Sequence, residues 1–382
     1  MSRLTCLSLF SGGGGSDLGA QAAGFLPIGA VEFDADIAQC YADNLGAHVV
    51  CKPIAEVSPK PYEGVDLLMA SPPCQAHSVA RSKTLAPRSD ADAGLDVIRW
   101  LRALRPRWFL LENVPPYQHA ATFKAIVAEL FTLGYFVHWG ILNSADFGVP
   151  QTRRRLILRA TRDGLIPSLP VPVKPWRGWY EAIADLLPTL PESKFADWQL
   201  ARLPAELTTL LFAATSNADS WGDNTRPADE PAFTTTENAN GRMRAFPVTS
   251  NTSKGNPHEC VIRTPDETAP SVCGSSAWSR AFLVDGQETN PGANGGERTV
   301  SLRNADEPAL TLPASVAKGV PRAWLETGRV VSMTARALAR FQTFPDSYKL
   351  PARASLACKV IGNALPCLLA EVLCRGFVEA GR

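Results

Sequence analysis

Three residue types in this sequence stand where they could act on one ligand: a cysteine, a glutamate and a pair of arginines. Cys74 follows an apolar run, Val65 to Ala70, that reads as a buried strand, and then the dipeptide Pro72-Pro73. Proline lacks an N–H and fixes φ, so the pair makes a stiff, extended exit from the sheet that ends on a thiol. At the carboxyl end of a strand in an α/β protein, such a thiol lies where ligands bind, and a nucleophile needs its approach fixed in angle and distance. Glu112 ends a second apolar strand, Trp108-Phe-Leu-Leu. A carboxylate is costly to bury there unpaired, and one held at such a place can share a proton with a ligand. Arg153 and Arg155 precede the strand Leu156 to Leu158, and alternation puts both on one face of an extended segment. Two guanidiniums so placed can hold a carboxylate, a phosphate or a pyrimidine carbonyl. Each feature also has an ordinary reading: a core-filling thiol, a capping Glu-Asn pair and a solvated basic edge.

The elements that must position these residues open with a β-rich run, Leu4 to Phe10, followed by Ser11-Gly-Gly-Gly-Gly15-Ser16-Asp17. Helical spacing resumes at Leu18, Ala22 and Phe25, with Gly24 as the expected C-cap. Strand, glycine loop and helix form the start of a nucleotide-binding βαβ unit, in which glycine lets the backbone approach a ligand closely. A second strand, Ile28 to Glu32, ends in an acid seventeen residues after Gly15, an offset at which dinucleotide folds hold ribose hydroxyls. There is no Gly-Lys-Ser/Thr, so a phosphate cradle of the P-loop type is excluded. The polar stretch Arg81 to Asp92 reads as a mobile loop; Leu95 to Leu104 and Phe123 to Leu133 have helical spacing, and Tyr135 to Leu142 reads as a strand.

Beyond Pro167 the character changes. Pro170-Val-Pro-Val-Lys-Pro175 is a stiff linker, and Trp176 to Pro191 suits a short helical connection. From about 220 to 320 the chain is rich in Thr, Asn, Gly and Pro, and carries a degenerate repeat. Its copies, at 226–234, 263–271 and 303–311, are spaced by 37 and 40 residues. Each reads as an arginine, a turn around Asp-Glu, and a β segment. The acidic pair can hold its own arginine, or the arginines can reach phosphates and guanine edges. Arg242 and Arg244, in Asn238-Ala-Asn-Gly-Arg-Met-Arg, are the best local basic candidates for such contact. Order returns near Arg329, where Thr334 is an expected N-cap with Leu338 and Phe341 on the apolar face. An apolar helix then follows Val360-Ile-Gly-Asn363-Ala-Leu-Pro366 and runs through Val378.

Phe10-Ser-Gly-Gly-Gly-Gly15, Val31-Glu-Phe-Asp34, Pro-Pro-Cys74-Gln75, Glu112-Asn-Val, Gln151-Thr-Arg-Arg-Arg155, the Arg336 to Pro345 stretch and Gly362-Asn-Ala-Leu-Pro366 occur in this order. The set resembles the DNA cytosine-5 methyltransferases over roughly residues 4–160 and 329–378. The resemblance implies an α/β, doubly wound Rossmann-like adenosylmethionine-dependent domain with an inserted, smaller, β-rich or irregular target-recognition domain. It places the catalytic domain at 1–168 and 350–382 and the recognition domain at 169–349, with the penultimate motif at 329–349. The implied cofactor is S-adenosyl-L-methionine, with Phe10, Gly12, Gly13, Gly14 and Gly15 lining the methionine portion, Glu32 on the ribose and Phe33 stacked on adenine. Ile54, Pro72, Asn363 and Ala364 complete that pocket. Cys74 is then the nucleophile with Gln75 beside it, Glu112 grips the ring nitrogen of cytosine, Arg155 contacts its carbonyl oxygen and Arg153 orders the site. Ser78 and Arg81 join Arg242 and Arg244 as DNA contacts. One position departs from the pattern: Pro53 stands where the family has an acid on the adenine amino group, so adenine must be held there by backbone groups or another residue.

Composition sets bounds without pointing to nucleic acid. The 382 residues carry a net charge of only +1, and residues 165–330 hold 15 Lys and Arg against 19 Asp and Glu. Any polyanion contact therefore comes from local clusters. Nine cysteines without a Cys-x-x-Cys pair and only five histidines argue against a zinc centre or a disulfide framework. No metal, no membrane span, a reducing cytoplasmic compartment and a monomer are expected. Expected partners are duplex DNA and, as a candidate, a cognate restriction endonuclease acting on the same site. Alternative readings are a tRNA cytosine-5 methyltransferase, an inactive DNA-binding paralogue, and an adenosylmethionine enzyme acting on a small molecule.

Overall fold

Alternation along the apolar strands fills two core layers at once. The computed structural model describes residues 3–73, 88–164, 169–170, 176–193, 233–237, 243–247, 281–287, 299–304, 306–309, 322–325 and 330–380. The main sheet contains β1 (Thr5–Leu9), β2 (Leu26–Glu32), β3 (Val49–Cys51), β4 (Leu67–Ala70), β5 (Trp108–Asn113), β6 (Phe136–Asn143) and β7 (Arg154–Thr161). Their spatial order is β3-β2-β1-β4-β5-β7-β6. The first five of these pair in parallel, whereas β7 runs antiparallel to both β5 and β6. The sheet is thus mixed, an α/β sheet whose far edge is a hairpin.

Helices cover both faces. Leu7, Leu9, Leu68, Ala70, Phe109, Leu111, Leu156 and Leu158 pack with α3 (Arg88–Leu104) and α4 (Ala121–Thr132) through Trp100, Leu101, Phe123 and Ile126. The alternate residues Cys6, Leu67, Met69, Trp108, Leu110 and Ile157 pack with α1 (Gly15–Ala22) and α8 (Cys367–Ala380) through Ala20, Leu369, Leu373 and Phe377. Trp100 and Trp108 are almost completely enclosed. Each removes roughly 200 Å² from water, worth about 5 kcal/mol before conformational entropy is counted.

Two expectations are corrected. Helix α3 begins at Arg88, so the latter part of the stretch expected as a mobile loop is helical. Ala91 and Ala93 favour helix, which the polar composition around them obscures; residues 81–87 lie outside the described residues. The C-terminal segment Ala354–Glu379 is long and apolar enough to cross a membrane, contrary to the expectation that no run reaches such a length. It folds as α7 (Ala354–Asn363) and α8 with Pro366 between them, and Leu369, Leu373 and Phe377 are core residues.

The chain divides into two compact units, residues 1–176 with 311–315 and 338–382, and residues 177–310 with 316–337. The second contains α5 (Trp179–Ile183), a β8–β9 hairpin (Phe233–Glu237, Met243–Pro247) and an antiparallel sheet. That sheet is formed by β10 (Ala281–Gln287), β11 (Thr299–Asn304), β12 (Arg322–Leu325) and β13 (Val330–Ser332). Of the repeat copies, the third is described where its arginine and acidic pair fall. Arg303 lies in β11, and its Nη1 is 4.0 Å from Glu307 Oε1. Backbone N–H of Trp179 donates to Glu307 O and its indole to Arg303 O. In this copy the arginine stands at the limit of ion-pair distance from one member of its own acidic pair, Glu307. Residues 226–232 and 263–271 lie outside the described residues. Helix α6 (Ala335–Phe341) starts after Thr334, whose hydroxyl accepts from Ala337 N at 3.3 Å, as an N-cap does.

Candidate active site

The carboxyl end of β1 turns sharply. Phe10 takes φ +58°, a left-handed conformation costly for a bulky residue, and Gly12 and Gly14 follow at +55° and +84°. Glu32, at the end of the neighbouring β2, accepts from Gly12 N at 3.0 Å and from Asp34 N at 2.9 Å. It is 7% exposed. Burial pushes its carboxyl above the usual range, and the two amides pull it partly back. A carboxylate with lone pairs left over, at the mouth of a loop, suits diol hydroxyls.

The four glycines do not share one purpose. A Cβ at Gly12 would meet nothing within 4 Å, so this is the position open to a ligand. At Gly13 it would lie 2.4 Å from Val360 and 2.6 Å from Tyr348, at Gly14 2.1 Å from Leu45, and at Gly15 2.8 Å from Leu365 O. At those three the Cβ direction is filled by protein: α2 (Ala35–Leu45) and the returning C-terminal segment close on the loop. Through this packing Ala364 reaches the loop, its Cβ 3.0 Å from a Cβ built at Gly15. Asn363 beside it is exposed. Phe33 is 72% exposed, an aromatic face left bare beside Glu32. The Ile54 side chain is buried in the core and its carbonyl accepts from Arg99, so any ligand contact at Pro53-Ile54 falls to the other backbone groups.

The second cluster forms one strand pair away. Pro72, buried, leads out of β4, and Asn113 at the end of β5 donates from Nδ2 to Pro72 O at 2.9 Å. Cys74, Gln75, Ser78 and Arg81 lie outside the described residues, as does Arg242; Arg244 falls in β9. Glu112 is 7% exposed, and Arg155 Nε donates to its Oε1 at 2.9 Å. The antiparallel register sets Glu112 opposite Ile157, which brings Arg155 two residues on to the carboxylate.

Arg153 is 1% exposed and donates from Nη2 to Gly362 O at 2.8 Å. Its Nε and Nη1 have no partner among the described residues. Burial, then the Arg155 charge, holds its pKa well below the usual arginine value. Thus Arg153 ties the segment after β6 to the Gly362-Asn363 motif, while Arg155 faces the acid. Sequence reasoning missed the bond of Asn113 to Pro72, although the Glu-Asn-Val signal was present. It also missed Tyr348 and Asp17, for which single residues carry no spacing signal.

Comparison with known proteins agrees with this layout. A family model described as C-5 cytosine-specific DNA methylase matches residues 4–378. The type II methyltransferase M.XorII of Xanthomonas oryzae pv. oryzae is 27% identical over all of this chain and 86% of its own length. M1.HphI of Haemophilus parahaemolyticus is 23% identical over 98% of this chain and 87% of its own. The crystal structure of Schizosaccharomyces pombe Dnmt2 methyltransferase superposes with a TM-score of 0.55 at 16% identity, covering 100% of both chains, a likeness of fold. With the match running from β1 to α8 through both clusters, the chain belongs to the C-5 cytosine-specific DNA methylases.

Proposed function

We propose that the chain methylates carbon 5 of a cytosine flipped out of duplex DNA, through a covalent adduct with Cys74. The observation that carries this reading is the buried Glu112–Arg155 pair at the end of β5, tied through Asn113 to the Pro72-Pro73 exit that leads to Cys74. Carbon 5 of cytosine is a poor nucleophile until a thiolate adds to carbon 6. Cys74 forms that bond, and the ring's electron pair moves toward carbon 5. Glu112 holds the protonated ring nitrogen, so negative charge does not accumulate on the base. Arg155 holds the carbonyl oxygen in a site screened from water. Once carbon 5 is substituted and has lost its proton, the Cys74–carbon 6 bond breaks and the thiolate leaves. A stacked base cannot enter such a site, so it is extruded at a cost of a few kcal/mol.

S-adenosylmethionine, the family's methyl donor, supplies the electrophilic methyl group when bound. The residues present fit it: Glu32 for ribose hydroxyls, the bare ring of Phe33 for adenine and the open face of Gly12 for close backbone approach. Residues 1–168 and 350–382 form the catalytic domain and 169–349 the domain that reads the target sequence. In the latter, Arg242 and Arg244 are DNA contacts, and Ser78 and Arg81 contact DNA beside the nucleophile.

Bisulfite sequencing of DNA from cells making the wild type or Cys74→Ser tests the reading. Protected cytosines in one short context, lost at least about 10³-fold in the variant, are expected. Protection that survives Cys74→Ser would remove Cys74 from the mechanism. No protection in either, from protein that binds the donor, would move the substrate to RNA.

A further inference from the structure

The carbonyl of Gly13 is already taken. Tyr348 Oη donates to it at 2.6 Å, and the N–H of the same peptide, on Gly14, donates to Ser11 O at 3.0 Å. The plane of the Gly13–Gly14 peptide is thereby fixed from both ends. Its neighbour Gly12 gives its N–H to Glu32.

Tyr348 is 2% exposed, with its ring 4.8 Å from that of Phe344 and its Oη 3.3 Å from Cys40 Sγ. With the phenol proton committed to Gly13, the one thiol proton of Cys40 faces two acceptors, Tyr348 Oη and, at 3.8 Å, Lys349 O. The residue is held in turn by Asn44, whose side-chain amide accepts from Lys349 N at 2.6 Å and donates to Lys349 O at 3.0 Å. Burial keeps the phenol protonated far above the working range. Nothing in this arrangement requires Tyr348 to touch a ligand, because the loop peptide stands between them.

We propose that Tyr348 is a positioning residue for the methyl donor, its hydroxyl holding the Gly13–Gly14 peptide in the orientation that donor binding needs. The inference rests on the reading of the glycine loop as the donor site. Tyr348→Phe leaves the Gly13 carbonyl without its donor, and the donor's KM rises about tenfold. The kcat at saturating donor and the KM for DNA stay within about twofold of wild type, since the Glu112–Arg155 pair is untouched.

Asn44→Ala is the structural control. It loosens the same segment without touching Gly13, so it lowers the melting temperature and leaves donor KM within about twofold. Identical behaviour of the two variants, or a Tyr348→Phe donor KM equal to wild type, overturns the proposal. Glu32→Gln separates the two levels of inference. If it weakens S-adenosylmethionine binding, measured by calorimetry, while Tyr348→Phe does not, the donor site stands and the role of Tyr348 falls. Unchanged binding in Glu32→Gln removes the donor site itself. Should Tyr348→Phe not fold, Gly13→Ala, whose Cβ would stand 2.6 Å from Tyr348 Oη, takes its place. Raised donor KM there supports the proposal, and an unchanged KM overturns it.

Discussion

Glu32 and Glu112 make a matched pair with opposite solutions. Both end parallel strands of one sheet and both are 7% exposed. Glu32 is satisfied by two backbone amides, Glu112 by the guanidinium of Arg155. Amides are dipoles: they satisfy lone pairs but bring no countercharge, and burial leaves the Glu32 carboxyl raised. A guanidinium cancels the charge outright, at the cost of burying a cation as well. The first solution suits a group that accepts from neutral hydroxyls. The second suits a group that must stay poised against developing charge on a base.

The comparison breaks most readily at Arg155. Arg155→Ala leaves the Glu112 carboxylate buried without its cation, which costs about 3–5 kcal/mol, or on the order of 10 °C in melting temperature. Methylation falls by about 10³-fold as well, because the base's carbonyl oxygen loses its partner. Thermal melts and a tritiated-methyl incorporation assay read the two effects. A variant that melts as wild type would mean that the ion pair is not what makes Glu112 tolerable in the interior.

Glu112→Gln sharpens the same contrast. The amide oxygen can still accept from Arg155, so the fold is kept with a small loss of stability. Proton sharing with the ring nitrogen is lost, and kcat drops about 10²- to 10³-fold with donor KM unchanged. A change confined to donor KM would assign Glu112 to the wrong cluster.

Much of this geometry was legible in order along the chain, but not in pairing. The strand-proline-proline exit, the glycine loop and the acid at the end of β2 can be read as local patterns, since periodicity and proline chemistry act over a few residues. That Arg155 meets Glu112 depends on β7 running antiparallel to β5, and two-residue alternation does not reveal strand direction. What a Cβ at Gly13, Gly14 or Gly15 would meet lies in α2 and in residues more than 300 positions away, which no local pattern reveals. Phe33 entered only through the family resemblance, since nothing in its immediate sequence foretells that its ring is 72% exposed.

On the other side of the comparison, Glu32→Gln removes the charge but also the symmetry of the acceptor. One amide of the side chain must face Gly12 N or Asp34 N with an N–H of its own, so one of the two backbone bonds is lost. Donor KM rises about 10- to 100-fold while kcat at saturation changes little. Because burial raises the wild-type carboxyl, wild-type donor affinity weakens as pH falls toward that raised value, and the variant lacks this limb. An equal acid limb in wild type and variant would place the titration elsewhere.

The smallest effect concerns a third carboxyl, beneath the same loop, that is met chiefly by the hydroxyls of Ser8 and Tyr41. Asp17 is fully enclosed, accepts from Ser8 Oγ at 2.9 Å, and is raised by burial from 3.8 to about 7. The folded state therefore holds a proton that the unfolded chain releases at lower pH. This contribution to stability is complete below 3.8 and is lost as pH rises through about 7. The raised carboxyl of Glu32 adds to the same trend. Melting temperature is expected to decline between about pH 5 and pH 8 in the wild type. Asp17→Asn keeps an acceptor for Ser8 without a titrating charge, so its profile is flatter. At pH 8 it melts higher than wild type, by on the order of 5 °C. Parallel profiles would show that Asp17 is ionised in the folded protein throughout the range.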